Sequence, residues 1–298
     1  MVVYARVILG YYMYVSAIAL VTIPLDEVLG GDVNLNHYAA QPILYPTLRH
    51  DMWGTEDPRV YEVDGELLMT YTGRSVNYFN PVIRRERTLP ITAIRVRSHR
   101  VWDKRIVHVL PRGLREHVIS DKDAFIARLG TKLFLFHRPH MDDENHYLTI
   151  SELPENVLAE RSLREIEPAG TWWIAPHASY EYKIGWNIPV AKPRENELIA
   201  LLHGVDRELQ IYRVFAMHIS YSSSEGIVVR AVTPTYIMEP TQIYEIIGDR
   251  PYVVFPCGAW LIDKSTILIS YGAADQVIGF GLIDLNELLS ELDRGRIY

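Results

Sequence analysis

The chain has 298 residues, 48% of them hydrophobic and 22% charged, and a formal net charge of −7. That length supports a sizeable buried core in one or two domains, and the composition is that of a soluble globular protein. The negative balance argues against a nucleic-acid partner held by phosphate contacts, so a bound anion needs a local basic cluster working against the overall field.

Residues 7–21 are mostly apolar behind Arg6 and superficially resemble a secretory signal. The run falls short of the ~18 uninterrupted apolar residues of a membrane span. Tyr11, Tyr12 and Tyr14 suit strands better than a signal core, so two β-strands are expected here rather than a cleaved leader.

A superperiod runs through the chain. Five apolar strands end in a Tyr or His followed by a small or basic residue: VVYAR at Tyr4, LMTYTG at Tyr71, LFHRP at His137, LLHGV at His203 and ISYGA at Tyr271. The steps are 67, 66, 66 and 68 residues. A constant period of this size marks a repeated supersecondary unit. Turn signals precede the later copies, at Asp64-Gly65, Gly130, residues 194–196 and Asp263-Lys264. Asp57, Asp123 and Cys257 each lie 14 residues before the repeated Tyr or His, which marks an upstream strand in three units. Downstream, residues 17–29 resemble residues 277–289, and residues 147–158 are a looser third copy. One short helix is expected at 286–292, with Asp284 as its N-cap.

Four strands per unit and five units predict an all-β fold, a five-bladed β-propeller forming one domain over residues 1–298. A pair of β-sandwiches or a β-helix would compete, but sandwich strands recur at about 8–12 residues without so long a superperiod. The first unit has no residues to supply its upstream strand, so the first blade is expected to be shortened. Equivalent positions around one axis converge on a central site.

The densest motif is GTEDPRV, residues 54–60. Pro58 fixes its own φ and is expected to push Asp57 toward an extended conformation, making a rigid carboxylate pair beside Arg59. An Asp-Pro-Arg turn is also compatible with a plain loop carrying a surface ion pair. A scattered basic set, Arg138, Lys183, His203 and Arg6, sits at matching strand ends, and Tyr212 adds a hydroxyl. Several cations and a phenol around one cavity suit a compact oxyanion such as phosphate. His137 and His203 as metal ligands are the alternative, but no HxxxH or HExxH spacing supports it, and no metal is expected. In YGAAD, residues 271–275, small residues allow close approach to Asp275, which is either a sugar contact or a capped turn residue. Asp123 is a second sugar-contact candidate. Trp53, Trp172, Trp173, Trp186 and Tyr78 are available for stacking on a sugar, though most belong in a core. The single cysteine, Cys257, excludes an internal disulfide, fits a cytosolic setting and reads as a structural thiol. Scarce glutamine with abundant Ile, Val, Tyr and Arg agrees weakly with a thermophilic source.

GTEDPRV, then DKD, HRP, KIGW, LLHGV with a Tyr shortly after, VVFPCGA and YGAAD occur in the order found in glycoside hydrolase family 130, which the chain resembles over about residues 1–285. These are β-mannoside phosphorylases and related mannosidases on five-bladed propellers. The resemblance implies an inverting enzyme in which Asp57 matches the general acid, acting through a sugar hydroxyl. Phosphate then replaces the base-activated water of an ordinary inverting hydrolase. Arg138, Lys183, His203 and Tyr212 match the phosphate cradle. Arg59 matches the motif arginine, Asp123 and Asp275 match sugar contacts, and Arg6 matches an arginine near the reacting mannose. The partners implied are a mannoside oligosaccharide and phosphate, with phosphate as co-substrate and no cofactor, membrane or nucleic acid. The retained basic set favours phosphorolysis; a phosphate-independent β-mannosidase and a non-catalytic sugar-binding propeller remain alternatives. Departures from the family pattern are the shortened first blade, residues 186–189 (WNIP) after KIG, and Asp121 where Asn is common. The first blade's exposed edge leaves homo-oligomerisation open.

Overall fold

The computed structural model describes residues 1–297, which group into two compact units. The first comprises Met1–Lys122 and Asn156–Glu167; the second comprises Asp123–Glu155 and the chain from Pro168 onward. The fold is an all-β five-bladed β-propeller, with one sheet for each repeat.

Two sheets belong to the first unit. One runs β1 (Val2–Gly10), β2 (Val15–Thr22) and β3 (Ala40–Leu44). The other runs β4 (Thr55–Val63), β5 (Glu66–Arg74), β6 (Thr88–Arg95) and β7 (Trp102–His108). The remaining sheets start from β8 (Val118–Leu129), β9 (Lys132–Met141) and β10 (Leu148–Leu153). Next in the chain, β11 (Arg164–Ile166) returns to pair parallel with β7, giving the second sheet a fifth strand. β12 (Gly170–Ala175) then completes the third sheet, in the order β12-β10-β9-β8. The fourth sheet is β13 (Glu181–Ala191), β14 (Glu197–Asp206), β15 (Tyr212–Ser222) and β16 (Gly226–Val232). The fifth is β17 (Val254–Leu261), β18 (Thr266–Ala273) and β19 (Val277–Asp284). A helix follows at Leu285–Arg294, with the Asp284 carboxylate accepting from the backbone N–H groups of Asn286 and Glu287. Among the described residues no helix is long and apolar enough to cross a membrane.

The apolar run at residues 7–21 is the β1–β2 hairpin. The repeated Tyr or His occupies the second strand of four sheets: Tyr71 on β5, His137 on β9, His203 on β14 and Tyr271 on β18. Tyr4 lies on β1, which among the described residues is the first strand of its sheet. The expectation of four strands per unit does not hold throughout. Among the described residues the first and fifth sheets have three strands, and the second has five.

The second strands β5, β9 and β14 are buried nearly end to end, which is why they read as largely apolar runs. Polar groups on them must therefore be paired inside the blade. In the second sheet Thr70 bonds the Tyr61 hydroxyl (2.5 Å) and Thr92 (2.8 Å), and Thr92 reaches His108 Nε2 at 2.8 Å. In the third sheet His137 Nε2 meets the Ser151 hydroxyl at 2.8 Å, which gives this histidine a structural partner.

Trp186, fully buried, anchors the core of the second unit. Its ring lies edge-on to Phe136 (5.0 Å) and Phe125 (6.3 Å), and its Nε1–H donates to the Thr149 carbonyl at 3.0 Å. Trp186→Ala should cost about 3–5 kcal/mol of stability through the cavity and the orphaned carbonyl. A denaturant midpoint unchanged from the parent would show that the site collapses without penalty.

Candidate active site

The position 14 residues upstream of the repeated Tyr or His marks the place where first strands depart from regular pairing. The β4–β5 register shifts between Glu56 and Arg59, and the β17–β18 register shifts between Pro256 and Gly258. Asp57 and Asp123 have φ of 51° and 55°. Asp57 is thus left-handed, where Pro58 led us to expect an extended residue. A bulge sets two residues against one on the partner strand, and here that geometry overrides the local bias. Non-glycine residues held at positive φ are strained and favour sites where the surrounding structure fixes them. Asp275, in the turn after β18, is a third case with φ 53°.

In the first unit the carboxylate pair divides into two environments. Glu56 is buried, and it accepts from Arg74 Nε (2.7 Å) and Nη2 (3.2 Å) and from Lys122 Nζ (3.2 Å). Arg6 Nη2 lies 3.3 Å from the same carboxylate. Burial pushes Glu56 up, but Lys122, Arg6 and Arg74 outweigh it and hold its carboxyl well below the ordinary range. Asp57 keeps its side chain 25% exposed and accepts from Arg6 Nη1 at 3.0 Å. Arg6 therefore bridges the two carboxylates. Arg59 is wholly buried, and its Nη1 donates to the Asp57 backbone carbonyl at 3.0 Å. It braces the bulge that aims Asp57.

The second unit carries the other predicted residues. Asp123 accepts from Arg138 Nε at 2.5 Å, with His203 Nε2 at 3.7 Å from the same oxygen. Arg138 Nη1 donates to His146 Nδ1 at 2.8 Å. Because a guanidinium only donates, His146 must be the neutral Nε2–H tautomer. Burial, Arg138 and Lys183 push its pKa down to about 2, in agreement. Asn187 gives its amide N–H to the Pro256 carbonyl (2.7 Å), so its oxygen accepts from His203 Nδ1–H at 2.8 Å. That leaves His203 Nε2 on the side of Asp123. The Tyr212 ring stacks on His203 at 5.5 Å, and Lys183 Nζ (5.7 Å) and the Arg250 guanidinium (4.7 Å) lie over it. Burial pushes the Tyr212 hydroxyl up to about 12, so it remains a donor. Asp275 is exposed in its turn.

Gly185 makes this cluster feasible. A Cβ there would stand 2.6 Å from His203 Cε1, 2.7 Å from Asp123 Oδ2 and 2.9 Å from Arg138 Nε. Arg138 and His203 approach one Asp123 oxygen, and Lys183 and Arg250 approach the Tyr212 ring, an arrangement of cations and a phenol whose chemistry suits a compact oxyanion. Sequence reasoning passed over Glu56, Arg74, Lys122, His146, Asn187 and Arg250 as site residues. Glu56 stood within the motif, but nothing local separated its role from that of Asp57.

Glu56 also sets an acid limit. Its folded-state proton affinity lies below the unfolded one, so its contribution is present above the ordinary carboxylate range and is lost as pH falls below it. Glu56→Gln should lower the melting temperature at pH 7 and flatten its fall between about pH 5 and 2. An unchanged acid slope in thermal melts across that range would contradict the network.

Residues 1–294 match glycoside hydrolase family 130, described as beta-1,4-mannooligosaccharide phosphorylase. Beta-1,2-mannobiose phosphorylase of Thermoanaerobacter sp. is 27% identical over 256 residues, 82% of this chain and 71% of that protein. The 1,2-beta-oligomannan phosphorylase of the same organism is 23% identical over 248 residues, covering 83% and 74%. The structure is similar to that of the Listeria innocua beta-1,2-mannobiose phosphorylase bound to beta-1,2-mannobiose. The TM-score is 0.69 at 20% identity, covering 94% of this chain and 70% of the other. A match along nearly the whole chain, with the five-bladed fold, makes this protein an enzyme of glycoside hydrolase family 130, the family of the mannoside phosphorylases.

Proposed function

We propose that the protein catalyses inverting phosphorolysis of a β-mannoside, transferring the mannosyl group to inorganic phosphate and releasing α-mannose 1-phosphate and a shortened acceptor. The observation that carries this reading is the cationic cluster around Tyr212, in which Arg138 is held by Asp123 and His146 while Lys183 and Arg250 approach the same ring. A receptor built before the anion arrives loses little freedom on binding it.

In the step proposed, a phosphate oxygen attacks the anomeric carbon as its bond to the glycosidic oxygen breaks. The proton passes from Asp57, through a sugar hydroxyl, to the departing oxygen. Phosphate is already anionic, so the base that an inverting hydrolase uses to activate water is not needed. Arg6 and Arg59 act on Asp57 from its carboxylate and its backbone, keeping the acid aimed. Arg138, Lys183, His203 and Tyr212 grip phosphate, and Asp123 and Asp275 take sugar hydroxyls. The Thermoanaerobacter relatives favour a β-1,2 linkage, whereas the family description names β-1,4.

Incubation with β-1,2- and β-1,4-mannobiose, with and without phosphate, tests this directly. Mannose 1-phosphate should form only when phosphate is present, and from one linkage in preference. Free mannose formed regardless of phosphate would establish the hydrolase instead, and binding without either product would establish the sugar-binding propeller. Asp57→Asn should lower kcat by about 10²–10⁴ with the fold intact by circular dichroism. Arg138→Ala should raise the KM for phosphate by about tenfold or more. An unchanged phosphate dependence would remove Arg138 from the cradle.

A further inference from the structure

Next to Arg74, which grips the neighbour of Asp57, a row of aromatic rings stands at the surface with no part in the step above. Tyr14 lies between Tyr11 and Tyr78, with ring centroids 5.7 and 5.6 Å away, and Tyr78 meets Phe79 at 6.3 Å. Tyr78, Phe79 and Tyr11 are 50%, 65% and 67% exposed, so they contribute little to a core.

These rings sit on rigid supports. Arg87 reaches into the loop carrying Tyr78 and Phe79 and donates to four of its carbonyls. Nη1 bonds Asn80 (2.6 Å) and Ile83 (2.5 Å), and Nη2 bonds Asn77 (3.2 Å) and Tyr78 (3.1 Å). The Asn77 carboxamide accepts from Phe79 N–H at 2.8 Å, and that of Asn80 accepts from Val82 N–H at 2.9 Å. Tyr14 is held at φ 53°, a conformation a tyrosine rarely adopts. A loop with a guanidinium at its centre displays apolar rings to solvent in a fixed pose. Such preorganisation is what a binding surface requires.

Through Arg74 the row connects to the residue that precedes the candidate acid. The Arg74 guanidinium lies 4.2 Å from the centre of the Tyr78 ring, and the same group grips Glu56, the neighbour of Asp57. A pyranose presents a face of C–H groups and a rim of hydroxyls, which suits a ring with an apolar face and a polar tip. Four rings in a row exceed the width of one sugar.

We propose that Tyr11, Tyr14, Tyr78 and Phe79 form a platform for the chain of an oligosaccharide acceptor, holding mannosyl units beyond the two that flank the bond being broken. This rests on the mannoside reading above and names the length of substrate that the site prefers.

The test compares the parent with Phe79→Ala and Tyr11→Ala, both exposed positions where truncation leaves the fold intact. For each, kcat/KM is measured with mannobiose and mannotetraose (both linkages) in phosphate, and tetraose affinity is measured by calorimetry without phosphate. Mannobiose turnover should stay within about twofold, whereas the tetraose KM and dissociation constant should rise about three- to tenfold. An unchanged preference for the tetraose over mannobiose would overturn the platform. So would a change of oligomeric state with tetraose affinity intact, which would mark a protein contact. Should the parent turn over neither sugar, the phosphorylase reading falls, and calorimetry alone decides the platform. Tetraose binding weakened in the variants upholds it, and a parent that binds no tetraose overturns it.

Discussion

A strand buried on both faces has nowhere to leave a polar group unpaired, and β5, β9 and β14, the second strands of three blades, are nearly such strands from end to end. In these three blades a polar residue of the second strand finds its partner on the first strand of the same blade. Arg74 on β5 takes Glu56, Arg138 on β9 takes Asp123, and His203 on β14 takes Asn187. One repeated constraint thus yields three pairs of different chemistry. Breaking any of them strands a buried charge or amide, which costs more than the pair contributes when intact.

The pairs also fix protonation and aim. Glu56 collects Arg74, Lys122 and Arg6, and its carboxylate stays ionised; Arg6, held there, is brought onto Asp57 as well. In the second unit, the Asn187 amide decides which nitrogen of His203 carries the proton, and Arg138 decides the same for His146. Few of the groups that would touch a substrate depend on solvent for their orientation. That is the preorganisation expected of a site that stabilises moving charge.

Much of this was legible in the sequence because repetition carries position. The superperiod located Asp57 and Asp123 at equivalent places, and the matching strand ends marked Arg138 and His203. Other residues were silent for identifiable reasons. Glu56 stands beside Asp57 in the same motif, and only burial separates the charge anchor from the exposed carboxylate. Gly185 reads as an ordinary strand glycine until the three side chains that crowd its missing Cβ are seen. Arg250 and His146 lie outside any repeat, reaching Tyr212 and Arg138 through loop and hairpin. The conformation of Asp57 was misjudged because proline bias is local, whereas a bulge is a property of two paired strands.

By itself the sequence determined the all-β class, the number of blades and the order of the chemical motifs. All of these are expressed in the spacing of residues along one dimension. The tertiary structure alone decided which carboxylate is buried among cations and which faces solvent, which histidine nitrogens hold protons, and which aromatic rings stay at the surface. Those properties depend on the distance between groups far apart in the chain, and no local pattern encodes that distance.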